Sequence, residues 1–557
     1  MQTDSPEARQ TSVSRFSRWL RRVLIALVGL ITLVVVFYTV ENWRGKRAWE
    51  SYKHEMEAKG RLVDWKAFIP APVADESNIF KAPKMAEWFI GKGPSALNTN
   101  LDVAQHTPTG NVIVAEITIV SNTVSVPNAV SIYRLEDGAG LSNAVKQVHT
   151  ACGPSARSCT IGAFFASPLD QIKPTQIAIQ VDRAVGVADL EKIFGPNSGT
   201  SASRIEATGT DSFRMVIANA MNAAVFLAGT ESINADFDTI RAGLKRPFVR
   251  MDDDYQQFFD IPIPRFITIR STVQMLAKRA QCHMLVGEPE KALEELTLMN
   301  DMRRLLDARA MTLVSAMVNV AVAGLYADTV ADGFRLHAWR EPELVIIQQQ
   351  LANISLIPSV ADSIDSERVG VSQLFETLKP EKLADIFGGV KSKFLILMPR
   401  GWLYQNMAFG GRWMDQFEDA IELNRNHILP KKFEAVIRGF EAELKHKTPY
   451  KILATVGIPN CTRAFQTTGK NQTLVDMTYL VCALERYRMA NGQYPDVLDK
   501  LVPQFAQKIP LDVVKGQPLH YRCADGRQFS LYSVGWNEAD DGGNAEMDWI
   551  WQYPPSL

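Results

Sequence analysis

Cysteine is scarce in this chain, with six in 557 residues, and no two of them are spaced as C-x-x-C. That excludes a zinc ribbon, a thioredoxin-like redox pair and a disulfide-dense scaffold. An excess of one charge sign is lacking as well. Sixty Lys and Arg stand against 61 Asp and Glu, a formal net charge of −1, so the chain as a whole carries no electrostatic footprint for nucleic acid. The eight histidines are scattered. H-E-x-x-H, G-x-S-x-G and a Walker A lysine are all missing. "GPNSGTSAS" (Gly195–Ser203) has the small residues of a phosphate loop without its Gly-Lys-Ser/Thr ending. "RMDDDYQQFFD" (Arg250–Asp260) clusters Asp252, Asp253 and Asp254 beside a proline-rich connection, the usual setting of a solvated charge run. The sequence names no substrate.

Long apolar runs are also rare, and the exception is informative. "VLIALVGLITLVVVFYTV" (Val23–Val40) holds no charged residue. As a helix it rises about 27 Å, close to the thickness of a hydrocarbon core. Trp19, Tyr38 and Trp43 stand at its two ends, where amphipathic rings prefer to lie. Glu41-Asn42-Trp43-Arg44 follows in place of the small residues of a cleavage site. The run therefore predicts a retained transmembrane anchor over 23–40, with the lipid bilayer as its partner. Arg15, Arg18, Arg21 and Arg22 precede it and Arg44, Lys46, Arg47 and Lys53 follow, so charge alone leaves the direction nearly tied. The expected topology is a cytoplasmic tail over 1–22 and a single pass through the bacterial inner membrane, with the bulk in the periplasm. A second apolar run, Met311–Val330, contains Asp328 and follows Asp307 and Arg309; it predicts a core helix rather than another span.

Cys152 and Cys159, in "ACGPSARSCT", flank a Gly-Pro-Ser turn. In an oxidising compartment they are candidates for a disulfide. Two ordinary thiols are the alternative, and the sequence leaves both open.

Apolar residues at 46% and charged residues at 22% fit globular protein, and the length suits three or four units. The pattern predicts an α+β multidomain chain: a membrane-proximal α+β domain over 41–265, a helical domain over 266–458 and a small α+β domain over 470–557. "NWRGKRAWESYKHEMEAKG" reads as a helix leaving the membrane and capped at Gly60. Asn111–Leu135 and Thr175–Asp182 are rich in Val and Ile, as strands would be. From about 266 the apolar spacing becomes helical. Leu276, Ala280, Gly287, Ala292 and Leu296 sit where a tetratricopeptide-like hairpin places its packing residues. Further helices are expected over Glu341–Ile354, Ser372–Leu378 and Arg412–His427, with a domain boundary in the polar Pro459–Gln472 segment.

The last unit is the most orderly. Leu474, Met477, Leu480, Val481, Leu484 and Tyr487 form one helical stripe, stopped by Asn491-Gly492 and Pro495. A short helix over "DVLDKLVPQF" and a hairpin of "PLHYRC" and "QFSLYSVG" follow. The order "ALERYRMANGQYP", "KIPLD", "LYSVG" and an acidic loop resembles the globular part of type II secretion major pseudopilins, over roughly one seventh of the chain. The whole chain is similar to large single-pass bacterial membrane proteins that carry such a tail, a likeness that implies no activity. Pseudopilins open with a glycine-aromatic processing site and a glutamate inside the membrane helix. Neither is present here, and about 430 residues separate helix and tail.

The resemblance implies calcium as a cofactor of the loop in "LYSVGWNEADDGGNAEMDWIW". Asn537, Asp540, Asp541, Glu546 and Asp548 would be its ligands, oxygen donors on a flexible loop as a hard cation requires. The other possibility is a solvated acidic turn reversed at Gly542-Gly543. The function expected is a membrane-anchored envelope scaffold or protein-interaction protein, with other envelope proteins as partners and no catalytic residue assigned. The alternative is a membrane-anchored enzyme, a hydrolase, with its site between the β and helical domains.

Overall fold

In this computed structural model the described residues are 7–91, six strand segments between 113 and 217, Leu190, and 220–307, 312–377, 398–453 and 461–553. Positions 253, 254, 257, 259, 260, 447, 525, 527 and 545 are outside that set, and for 7–18 and the strand segments only the backbone is described.

Helix α1 (Glu7–Ala58) runs unbroken for 52 residues, about 78 Å at the usual rise. Its apolar window is 0% buried, and its side chains from Trp19 to Val40 lie almost wholly exposed. Beyond that point the same helix becomes a packing element. Trp49, Tyr52 and Met56, spaced three and four apart, are buried against Leu374, Phe375, Leu403 and Met407. Each such side chain contributes on the order of 1.5–3 kcal/mol. The helix ends as its sequence predicts: Gly60 takes φ +73° and Arg61 N donates to Met56 O at 2.9 Å.

A helical turn, α2 (Met85–Phe89), precedes a six-stranded sheet of β1 (Ile113–Ser121), β2 (Val130–Leu135), β3 (Thr150–Cys152), β4 (Thr175–Val181), β5 (Ala202–Ala207) and β6 (Ser212–Ile217). The order is β3-β2-β4-β1-β6-β5, with β1 and β4 parallel and the other pairs antiparallel. The Val- and Ile-rich segments form strands as expected.

Helices carry the rest. α3 (Ala220–Gly229) and α4 (Asn234–Leu244) lead into the hairpin of α5 (Phe266–Leu285) and α6 (Pro289–Met302). Gly287 turns between them at φ +80°, and Leu276, Ala280, Ala292 and Leu296 are all 0% exposed. α7 (Leu313–Arg335), α8 (Glu341–Ala352), α9 (Leu356–Thr377), α10 (Arg400–Glu418), α11 (Pro430–Leu444) and α12 (Cys461–Asn491) follow, with a two-residue ladder of β7 (Ile421–Glu422) and β8 (His427–Ile428) after α10. Two helix limits differ from the sequence expectation. The helix expected over Ser372–Leu378 begins at Leu356, because the polar stretch from Asp362 to Arg368 spends its charges on partners within the protein. The helix expected over Arg412–His427 ends at Glu418 and gives way to β7 and β8. Of the polar Pro459–Gln472 segment, Cys461–Gln472 belongs to α12, which buries Phe465, Thr468 and Gln472, and 459–460 lie outside the described residues.

By length and composition, α7 and the α8–α9 stretch are also apolar enough to cross a membrane, but their windows are 67% and 50% buried within the protein. α12 packs on α7, α8 and α9 and carries a three-stranded antiparallel sheet, β9 (His520–Ala524), β10 (Gln528–Ser533) and β11 (Trp549–Tyr553), ordered β11-β10-β9. The short helix expected over 496–505 is a single 3-10 turn, Leu498–Leu501. One buried cluster runs from Ile79 through α5–α9 to Trp551. The architecture is α+β and mostly helical, with a long apolar N-terminal helix.

Candidate functional sites: an acidic loop and a carboxylate cavity

The acidic loop joins β10 to β11. Its carboxylates are taken up by donors of the protein itself. Asp548, 3% exposed, accepts from Gly543 N at 2.7 Å, Asn544 N at 3.1 Å and Asp541 N at 3.4 Å. Asp540 accepts from Gly542 N at 2.9 Å and Tyr532 Oη at 3.1 Å, and these donors hold its carboxyl below the usual range. Asp541 accepts from Asn537 Nδ2 at 2.7 Å, and Asn537 Oδ1 accepts from Ala539 N at 3.0 Å. Glu546 is exposed. The five residues share one loop without gathering their oxygens around one point. Among the described residues no group of three or more His, Cys, Asp and Glu is arranged to hold a metal ion. The loop is also tied to its surroundings: Lys431 Nζ, on α11, reaches Glu538 Oε2 at 2.6 Å, and Lys515 Nζ, in the turn before β9, donates to Glu538 O at 3.1 Å.

Of the cysteine pair, Cys152 ends β3 opposite Val130, and Cys159 lies outside the described residues. Asp253 and Asp254 lie outside them too, while Asp252 bonds Lys81. His283, on the hairpin, bonds Glu288 at 2.9 Å, and burial lowers its pKa.

A second cluster has no counterpart in the sequence expectations. Where α1 ends against α9 and α10 there is a cavity of about 550 Å³, lined by Arg61, Asp362, Asp365, Glu418, Glu422 and Asn424, with Ala361, Ile421 and Leu423 as its apolar part. α9 presents Asp362, Asp365 and Arg368 at helical spacing. The C-terminal turn of α10 presents Asp415 and Glu418. Arg61, just past the anchor helix, bonds Glu418 and lies 3.5 Å from Asp415; Lys59 bonds Asp415 as well. Arg368 is fully engaged, donating to Tyr52 Oη at 3.0 Å, Leu62 O at 2.9 Å and Asp365 Oδ1 at 3.0 Å.

Glu418 is the unusual member. Burial first, and the Asp365 carboxylate second, push its pKa up to about 8 against the pull of Arg61 and Arg368. Its Oε1 is buried with no hydrogen-bond partner among the described residues, while Oε2 is held by Arg61. The raised pKa favours the protonated form of this buried carboxyl. A protonated acid beside an ion-paired carboxylate is an arrangement capable of proton transfer. Arg61 stands about 300 positions or more before Asp365 and Glu418 in the chain. The sequence signal was there only as two acidic runs, "DSIDSER" and "DQFEDAIE", with nothing to bring them together.

Comparison with protein-family models, curated proteins and solved structures finds no match to this chain.

Proposed function

We propose that the protein is a membrane-anchored scaffold or interaction protein of the bacterial envelope, crossing the inner membrane once and holding its body in the periplasm. The observation that carries this is the continuity of α1. The helix that is exposed from Trp19 to Val36 is buried from Trp49 to Met56 without an intervening linker. A body joined in that way keeps a fixed orientation to the bilayer, as a platform for other envelope proteins must. A tail of the major-pseudopilin kind over 470–557 suits the same role, offering a small α+β surface far along the chain from the anchor. The test is mild solubilisation of the intact chain after crosslinking in cells. A discrete assembly larger than one chain is expected, and migration as a lone chain would overturn the proposal.

The second reading is a membrane-anchored hydrolase, and the Glu418–Asp365 pair is the observation that favours it. The cavity lies between the end of the anchor helix and the helical body, rather than against the six-stranded sheet. In this reading Glu418 gives a proton to a leaving group and Asp365 activates water. A panel of ester, phosphoester, glycoside and peptide substrates tests it. Turnover that vanishes in Glu418→Gln while circular dichroism shows the chain folded at the assay temperature supports the enzyme; turnover equal in both chains excludes this pair as the site.

A further inference from the structure

The start of α10 lies at the level where α1 leaves its apolar run. Trp402 packs edge-on against Phe37 with ring centroids 6.0 Å apart, and Phe37 belongs to that run, one turn before its end. Trp402 Nε1 donates to Glu41 Oε2 at 2.9 Å, and Gly401 N donates to Asn42 Oδ1 at 2.8 Å. From there the helices climb side by side, through Gly411 against Tyr52 and Arg412 beside Glu55 at 3.3 Å, to Asp415 at Lys59. α10 therefore begins at the bilayer boundary and runs away from it. Tyr450 closes on the same indole, with centroids 5.6 Å apart.

The chemistry of this patch is that of the membrane–water interface. Trp43 is 61% exposed, with the Arg47 guanidinium 5.5 Å from its ring centre. Arg44, Arg47 and Arg400 are exposed around it, whereas the acidic residue at the same level, Glu41, is buried and engaged by Arg44 and Trp402. Indole and phenol rings favour the headgroup layer, and exposed arginines draw anionic headgroups.

We propose that the first turn of α10, with Tyr450, is a second membrane-contact element: Trp402 and Tyr450 rest in the headgroup layer of the leaflet through which α1 exits, and Arg44, Arg47 and Arg400 bind anionic phospholipid there. The inference rests on α1 spanning the bilayer and is independent of any scaffold or enzyme role. The body thus touches the membrane at two elements, and its tilt is set by both.

The full chain in vesicles of phosphatidylcholine and phosphatidylglycerol tests this. Single fluorophores are placed through Arg400→Cys, Thr39→Cys and Val497→Cys, with other accessible cysteines replaced by serine, and lipids bearing a headgroup nitroxide act as quencher. Quenching at 400 is expected to exceed that at 497 severalfold, and in the 400-labelled chain Arg44→Gln with Arg47→Gln should reduce it. Quenching at 400 no greater than at 497, while 39 is quenched, would overturn the second contact alone. Absence of quenching at 39 would overturn the anchor and the contact with it. Quenching at 400 that is the same in vesicles lacking phosphatidylglycerol and indifferent to the arginine changes would overturn the anionic-lipid part.

Discussion

Gly45 of the anchor helix and Gly401 of α10 meet backbone to backbone. A Cβ on Gly45 would lie 1.9 Å from Gly401 O, and a Cβ on Gly401 would lie 1.9 Å from Glu41 O. Neither neighbour is a flexible side chain that can move aside, so only glycine permits the two helices to approach so closely. The close approach sits beside the bonds of Gly401 N to Asn42 Oδ1 and of Trp402 Nε1 to Glu41 Oε2.

Gly401→Val is accordingly expected to part the helices and cost about 1–3 kcal/mol or more, the range for overpacking. The thermal midpoint of the intact chain in detergent should fall, and α10 should become open to protease. Gly29, with nothing within 4 Å of its would-be Cβ, supplies the control: Gly29→Ala should leave the midpoint unchanged.

A second prediction concerns the ion pair of Arg279 and Glu295, whose side chains are 5% and 4% exposed. Arg279 also donates to Thr230 Oγ1 and Asn234 Oδ1, each at 2.7 Å, tying the start of α4 to the α5–α6 hairpin. Removing one partner strands a buried charge. Arg279→Met should destabilise by about 3–5 kcal/mol, whereas Arg279→Met combined with Glu295→Leu should recover much of the loss. A double-mutant cycle in urea measures the coupling.

The third prediction follows from Glu418. Its pKa is raised to about 8 in the folded chain from an ordinary 4.5. Between those values the folded state holds a proton that the unfolded state has lost, so this group makes stability fall as pH rises from about 4.5 to about 8. Below and above that window it contributes no slope. The slope amounts to about one proton. Glu418→Gln, neutral at every pH, should flatten that part of the stability profile, measured as thermal midpoint against pH. An unchanged slope would show that Glu418 is ionised in the folded protein.

The long apolar N-terminal helix, the hairpin at Gly287 and the helix–hairpin order of the tail were legible in the sequence because each is local. An uncharged run of apolar residues, a glycine at φ +80° and a stripe of apolar positions leave their mark within about 20 neighbouring residues. The carboxylate cavity was not legible, since Arg61, Asp365 and Glu418 come together only after α1, α9 and α10 have packed. The same packing explains the misplaced helix limits. Asp362, Asp365 and Arg368 look like a solvated stretch until Tyr52 and Leu62 are seen receiving the Arg368 guanidinium. The polar residues of 461–472 look like a linker until Gln472 is seen bonding Leu356 N and Ile354 O across to α9. Buried polar groups paired over long sequence distances carry no periodicity.

The last prediction addresses the acidic loop. Asp548 accepts three backbone N–H groups and is buried beneath the turn at Gly542-Gly543. A carboxylate so used holds the loop closed by itself, and hydrogen bonds to a charged group contribute about 1.5–3 kcal/mol. Asp548→Ala should therefore lower the thermal midpoint in chelator as much as in calcium, and the wild-type midpoint should be the same in both. If the loop instead bound calcium, the cation would stabilise only the folded chain, so the wild type would melt higher in calcium and Asp548→Ala would abolish the difference. For that to happen, Asp540 would have to release Tyr532 and Gly542, and Asp541 would have to release Asn537. The exchange rate of the Gly542 amide, followed through a calcium titration of the intact chain, reports whether its bond to Asp540 opens.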